Sequence, residues 1–288
     1  MAIRNRFETI VADRNTGGTL RNLISGGSAR AVGILVGLAA WTALAVNFPR
    51  NLLPTPSETL LLVWELVASG SAWVDISATF KSLFWAFLFA MLMGGSLGVF
   101  MGINNYSKNF FTPYVNIGLS IPGLAWGATA FLVFGYADIV FGTMRMAPVA
   151  AATLTVFPYI AINIWKGVEN LDHDLIRMAK AFEISRIRIL WRVIIPNIAP
   201  QIFSAFRFGL AIGWKVTIIA EIFAGSAGVG YKLMHAYQVY QYEEAWAWAA
   251  LFLIIIILIE YGVFKPLERK AFEYRSDVEL SAIGGGRE

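Results

Sequence analysis

The chain has 288 residues, of which 57% are hydrophobic and 15% are charged, and its formal net charge is +4. Soluble domains usually carry about a quarter of their residues as charges, so this composition argues against a soluble protein. The chain has no cysteine, which excludes disulfides and cysteine-ligated metals, and its 2 histidines are too far apart to suggest a histidine-rich metal site.

Long uncharged stretches predict transmembrane helices, because about 20 apolar residues cross the hydrocarbon core as a helix. Four such stretches have 19 or more residues: 31–49, 82–107, 109–137 and 146–165. Two further stretches, about 201–222 and 245–264, contain isolated charges. We therefore predict an all-α integral membrane protein with about six transmembrane helices. The third is interrupted at Ile121-Pro122-Gly123, where the freed backbone groups need a partner.

The second predicted span contains Gly94, Gly98 and Gly102, a small-xxx-small pattern that lets another helix approach closely. Packing within the chain is the favoured interpretation, and a seam between two copies is the alternative.

Lysine and arginine are distributed unevenly between the predicted loops. With the N-terminus inside, 17 of the 23 lie on the cytosolic side and four on the opposite side. This asymmetry follows the positive-inside rule and predicts cytoplasmic termini. Their dispersal over several loops argues against nucleic-acid binding. We predict a cytosolic leader over 1–29, a transmembrane domain over 30–270 with a cytosolic loop at about 166–200, and a cytosolic tail over 271–288. An uncleaved first helix is favoured over a cleaved signal peptide, because its apolar stretch is long enough to span.

The loop between the fourth and fifth spans contains two short amphipathic patterns. They are Leu175, Met178, Ala179 and Phe182, and then Ile187, Leu190, Trp191 and Ile194. Both follow the i, i+3, i+4, i+7 spacing of one apolar helix face. Ser185 is placed to cap the second helix, and Pro196 marks its end. A structured basic loop between membrane spans predicts a docking surface for a partner.

Catalytic patterns are missing from the sequence. It contains no GxxxxGK[ST] motif, and GSAGVG at 225–230 follows a predicted span rather than a strand, which disfavours a nucleotide site. Charges inside the spans are therefore the strongest site candidates. Lys215 lies well inside the fifth span, where a cation costs about 2.5–3.5 kcal/mol and should face a cavity or a partner. A pathway for an anionic solute and a structural ion pair, for example with Glu221, both remain open.

The loop resembles the coupling motif of binding-protein-dependent ABC importer permeases, approximately EAAxxLGAS followed by a distal Ile-x-Leu-Pro. Here it reads Arg177-Met178-Ala179-Lys180-Ala181-Phe182-Glu183-Ile184-Ser185, then Ile194-Ile195-Pro196. The chain further resembles the nitrate, sulfonate, taurine and bicarbonate branch of these permeases. The matching segments are Ile121-Pro122-Gly123-Leu124-Ala125-Trp126, Phe134-Gly135, Ala220-Glu221 and Gly228-Val229-Gly230-Tyr231. The resemblance covers roughly residues 50–270. Arg177 replaces the motif's acidic residue, and Glu183 replaces its glycine.

The resemblance implies a type I ABC importer permease that works as a dimer in the bacterial inner membrane. Its first loop helix would insert into a groove on a cytosolic ATPase subunit, which would bind ATP and Mg²⁺. The implied coupling residues are Arg177, Met178, Ala179, Lys180, Phe182, Glu183, Ser185 and Pro196. A second permease copy and an extracytoplasmic solute-binding protein would complete the assembly. This chain itself is expected to hold no cofactor, no metal and no catalytic residue.

The expected function is import of a small solute, with an organic or inorganic anion (sulfonate, nitrate, bicarbonate or carboxylate) favoured. The candidate pathway residues are Lys215, Glu221, Pro122 and Trp126. A self-sufficient secondary carrier or channel, without an ATPase partner, is the alternative. A membrane enzyme is a third class, which the missing catalytic residues disfavour.

Overall fold

The computed structural model describes residues 26–135, 140–141 and 144–266. The regular secondary structure of these residues is helical apart from one antiparallel pairing of β1 (Val140–Phe141) with β2 (Met144–Arg145). The helices are α1 (Gly26–Ala45), α2 (Pro56–Ala68), α3 (Ser71–Ile103), α4 (Asn105–Ser120), α5 (Gly123–Ala130), α6 (Met146–Glu169), α7 (His173–Ala181), α8 (Arg186–Ile189), α9 (Ile195–Asn197), α10 (Ala199–Ala224), α11 (Val229–Gln238) and α12 (Tyr242–Ile259). Short π-helical segments follow α5, α8 and α12: Phe131–Gly135, Leu190–Ile194 and Glu260–Phe264. The predicted all-α membrane fold is confirmed. Most of the predicted leader and the whole predicted tail lie outside the described residues.

About six spans were expected from the sequence. Within the part of the chain that the structure describes, four helices (α3, α6, α10 and α12) are long and apolar enough to cross a membrane, and a fifth candidate is the α4–α5 pair, bent by 95°. The bend lies where Pro122 was expected to interrupt the third span, because proline lacks the N–H group that would continue a helix. The first expected span corresponds to α1, whose apolar part, Ala31–Ala45, is shorter than a full crossing.

Glycines allow α3 to pack closely against α6. A Cβ atom added at Gly94 would lie 2.5 Å from the carbonyl oxygen of Phe157, and one added at Gly98 would lie 2.6 Å from that of Ala161. Both distances are shorter than van der Waals contact, so no side chain fits at either position. The small-xxx-small pattern therefore serves packing within the chain.

The loop between α1 and α2 is held by two tryptophans, Trp41 of α1 and Trp246 of α12. The indole N–H of Trp41 donates to the carbonyl of Pro54 at 3.1 Å, and that of Trp246 donates to the carbonyl of Leu52 at 3.1 Å. The next helix, α2, begins with a capping box in which the backbone N–H of Thr55 donates to Glu58 at 2.8 Å. This hydrogen bond, together with the one from the Thr55 hydroxyl, lowers the pKa of Glu58 below its usual value.

The α3–α6 contact predicts a contrast between two neighbouring glycines. Gly98→Ala should destabilise the protein by about 1–3 kcal/mol, because its methyl group overpacks the interface. Gly95→Ala is the matched control, since its Cβ atom would meet Ile164 at an ordinary 3.7 Å. Thermal unfolding of the purified variants in detergent measures the difference. Equal melting temperatures for both variants would contradict the proposed packing.

Candidate functional site

The first predicted loop helix is α7, which lies at the end of the bundle where α6 ends and α10 begins. Asp172 caps it by accepting a hydrogen bond from the backbone N–H of Asp174 at 2.8 Å. Ala179 faces the protein and is 4% exposed, whereas Met178 is 56% exposed and Phe182 is 74% exposed. The predicted apolar stripe is thus divided between attachment to the bundle and an outward-facing surface.

A buried apolar cluster joins this loop to the membrane helices. Its loop members are Ala179, Ile189, Ile194 and Ile198, and its α6 members include Ile160, Ile164 and Val168. At the same end, Lys108 of α4 forms an ion pair with Glu169 and lies 5.3 Å from the centre of the Trp165 ring. The loop therefore has a fixed connection to α6 and, through Ala205, to α10, while α4 is attached to the end of α6.

Glu183 occupies a backbone conformation that favours glycine. Its φ angle is +55°, its N–H donates to the carbonyl of Lys180 at 2.9 Å, and the N–H of Ile184 donates to that of Ala179 at 3.2 Å. This pattern is a Schellman turn, in which the residue after the helix is left-handed and usually glycine. A non-glycine residue there costs about 1–2 kcal/mol. The glycine of the resembled motif is the signal in the sequence for this left-handed position, which helix spacing alone does not predict.

The remaining predicted coupling residues lie around α7 and α8. Arg177 is exposed and forms an ion pair with Asp174. Lys180 is exposed on α7, and Pro196 lies within α9. Ser185 occupies the N-cap position of α8, but its side chain makes no capping hydrogen bond. The structure therefore places the predicted coupling residues at one end of the bundle.

The turn after α7 gives a prediction about stability. Glu183→Gly should raise the unfolding free energy by about 1 kcal/mol, because it relieves the left-handed conformation. Lys180→Gly is the control: it lies inside α7 and should lower stability by about 1 kcal/mol. Calorimetry or a thermal shift assay distinguishes the two, and a loss of stability in Glu183→Gly would contradict the assignment.

Lys215 lines a cavity of about 430 Å³ between α3, α10 and α12, which we call the side cavity. Its aromatic lining consists of Phe80, Phe84, Phe87, Phe206 and Trp214. Lys215 is exposed on α10 and, among the described residues, it forms no hydrogen bond or ion pair. The structural pair with Glu221 that the sequence left open is therefore not formed.

Glu221 lies elsewhere, enclosed at the opposite end of α10 from the loop helices, and is 1% exposed. Its carboxyl oxygen Oε2 accepts hydrogen bonds from the Thr79 hydroxyl at 2.9 Å and from the N–H of Gly230 at 3.0 Å. The Thr79 hydroxyl also accepts from the N–H of Val229 at 2.9 Å, and Asp75 accepts from that of Gly228 at 3.0 Å. We call this set of Asp75, Thr79, Glu221 and residues 228–230 the glycine-loop clamp; it joins α3, α10 and α11.

The glycines of the GSAGVG stretch are required by close contact with Glu221. Gly228 has a φ angle of +112°, and a Cβ atom there would lie 2.5 Å from the Glu221 carboxyl group. A Cβ atom at Gly230 would lie 2.4 Å from the carbonyl oxygen of Ile218. The stretch that faintly resembled a nucleotide loop is therefore a packing element against a buried acid.

The other two pathway candidates lie at the bend between α4 and α5. Pro122 is exposed and occupies the N-cap position of α5, and Trp126 is half-buried. Gly123 packs this part of α5 against α10, because a Cβ atom there would lie 2.9 Å from Val216. Neither Pro122 nor Trp126 lines the side cavity. The four candidates are thus distributed over three places: the cavity, the clamp and the bend.

The clamp predicts a specific sensitivity at Thr79. Thr79→Val removes both the donor to Glu221 and the acceptor for Val229, and the loss should be about 1–3 kcal/mol because buried polar groups remain unpaired. Thr217→Val is the control, since Thr217 is equally buried but donates only to the carbonyl of Gly213 in its own helix. Unfolding of both variants in detergent tests this, and equal losses would contradict the clamp.

The family model described as "Binding-protein-dependent transport system inner membrane component" matches residues 86–270. The chain belongs to this family. It is a multi-pass inner-membrane permease of a binding-protein-dependent ABC importer and is not itself an ATPase. An ATPase and a binding protein are the partners that such a system implies. The alternative of a carrier without an ATPase partner is therefore not supported.

Individual relatives agree with the family assignment. The chain is 24% identical over 245 residues to the taurine transport system permease protein of Escherichia coli strain K12, covering 83% of this chain and 86% of that protein. It is 24% identical over 217 residues to the nitrate import permease protein of Leptolyngbya laminosa, covering 72% and 74%. The inward-facing MetNI methionine ABC transporter has a similar fold, with a TM-score of 0.55 and 17% identity over 67% of this chain and 93% of that chain.

Proposed function

We propose that this permease imports a small organic or inorganic anion and that Lys215 contacts the anion on its way through the membrane. The observation that carries the proposal is the position of Lys215, which lies inside the α10 span and lines a cavity without an ion pair among the described residues. A cation within a span is costly unless it faces a cavity or a partner, so an anionic solute accounts for its retention. The solutes named for the two relatives support this class, because taurine carries a sulfonate group and nitrate is itself an oxyanion.

The coupling loop is proposed to dock on the ATPase at the cytoplasmic end of the bundle, with both termini on that side. Met178 and Phe182 are the apolar side chains that α7 presents outward. Closure of the ATPase would move α7, and the apolar cluster would transmit that movement to α6 and α10. A second copy of the permease is proposed to complete the pathway, which would then alternate between inward-facing and outward-facing states.

Docking through α7 predicts uncoupling by a charge at its exposed end. In reconstituted importer, Phe182→Glu should lower uptake at least tenfold, because a buried unpaired charge opposes docking and tenfold corresponds to about 1.4 kcal/mol. Ala179→Glu is a poorer test, since Ala179 is buried in the chain's own core.

Tyr106→Glu is the matched control for this experiment. Tyr106 is 88% exposed and lies at the same end of the bundle, outside the coupling loop. The Tyr106→Glu variant should retain normal uptake and normal ATPase activity. If Phe182→Glu also transports normally, α7 does not dock as proposed.

The role of Lys215 predicts a change in apparent affinity. Lys215→Met should raise the half-saturation concentration for an anionic solute about tenfold or more, because a hydrogen bond to a charged group is worth about 1.5–3 kcal/mol. Lys215→Arg keeps the charge and should retain most of the affinity. Uptake of radiolabelled taurine and nitrate by proteoliposomes, with the binding protein supplied, measures the effect. Unchanged kinetics in Lys215→Met would overturn the assignment.

A further inference from the structure

We propose that the side cavity binds an organic anion with an apolar body, such as an aryl or alkyl sulfonate or carboxylate, in preference to an inorganic anion. This inference rests on the proposed function of Lys215 as an anion contact. It deepens that function by assigning the place of binding and the chemical class of the ligand.

Two contacts bridge α10 to α12 and to the π-helical segment after it, Glu260–Phe264, at the border of the cavity. At one, the ring of Trp214 stacks on that of Phe252, with centroids 5.4 Å apart and planes 11° apart. At the other, the guanidinium of Arg207 lies 3.2 Å from the carboxylate of Glu260. Trp214 and Arg207 are seven residues apart on α10, or about 10 Å along the axis. The space between the bridges therefore accommodates a body larger than a four-atom ion.

The α3 wall of the cavity provides an apolar surface. Phe80, Phe84 and Phe87 follow the i, i+4, i+7 spacing of one helix face and line the cavity together. Phe84 is 62% exposed, so a ligand reaches its ring without displacing the core. Aromatic walls stabilise a hydrocarbon or aryl group by burial, and they offer nothing to nitrate or bicarbonate.

The charges of the lining indicate a single negative charge on the ligand. Among the described residues, the charged side chains that line the cavity are Arg207, Lys215 and Glu260. Glu260 offsets the charge of Arg207, which leaves a net charge of +1 located at Lys215. A monoanion with its acid group at Lys215 and its apolar body against α3 satisfies both features of the cavity.

Two sources supply this chemistry: the transported solute and a fatty acid from the surrounding membrane. The permease with its ATPase, reconstituted in phosphatidylcholine nanodiscs, is therefore tested with radiolabelled 1-naphthalenesulfonate. We expect saturable binding, competition by oleate, at least tenfold weaker competition by the neutral 1-naphthalenemethanol, and no competition by nitrate at the same concentration.

Variants locate the binding site. Lys215→Met should weaken naphthalenesulfonate binding at least tenfold, Phe84→Ala at least threefold, and Ala211→Phe, which fills the cavity from α10, should abolish it. Leu132→Ala is the control, because Leu132 is 71% exposed and lies outside the cavity. This variant should bind naphthalenesulfonate as the unchanged protein does.

The outcomes separate this inference from the proposed function. Normal binding in Ala211→Phe, or equal competition by nitrate and naphthalenesulfonate, overturns the organic-anion site even if Lys215→Met still impairs anion uptake. Loss of binding in Ala211→Phe together with loss of uptake supports the site and assigns it to the transported solute. Loss of binding with normal uptake in both Ala211→Phe and Lys215→Met supports a site for membrane amphiphiles and overturns the proposed role of Lys215 in transport.

Discussion

The carboxyl group of Glu221 is buried in the membrane domain, and the packing of one end of the bundle depends on the hydrogen bonds that its Oε2 atom accepts. Its oxygen Oε2 accepts hydrogen bonds from α3, through Thr79, and from the start of α11, through Gly230. Burying a polar group is costly unless it is hydrogen-bonded, and water is scarce inside a membrane domain. The loop after α10 must therefore approach closely enough to donate its N–H groups, and only glycine at positions 228 and 230 permits that approach.

The same helix, α10, connects this clamp to the coupling loop and to the side cavity. At the loop end, Ile198 and Ala205 are fully buried in the cluster that also holds Ala179 of α7. At the clamp end, α10 is attached to α3 and α11, and between the two ends it presents Lys215 to the cavity. A continuous helix of 26 residues attached at both ends moves as one body. This provides a physical route by which an ATPase docked at the loop, as proposed, would alter the environment of Lys215.

The agreement between the sequence-based predictions and the structure varies from one element to the next. The uncharged runs located α3 and α6, the apolar run with isolated charges located α10, and the amphipathic spacing located α7. The resemblance to importer permeases led to the family that the chain belongs to. About six spans were expected and the described residues hold four or five candidates, because hydropathy does not reveal the 95° bend or the short apolar part of α1. In the sequence, Lys215 and Glu221 are both charged residues within the fifth predicted span. In the structure, Lys215 lines the side cavity and Glu221 is buried.

The sequence by itself determined the membrane environment, the helical class and the position of the loop helix α7, because these depend on local composition and on spacing along a single helix. Tertiary structure alone decided what the intramembrane charges and the glycines do. Glu221 finds its partners 142 residues away at Thr79 and in the backbone of a later loop, and the side cavity is assembled from three helices that are distant in the chain. Contacts of this kind depend on how helices pack against one another, and neither hydropathy nor periodicity contains that information.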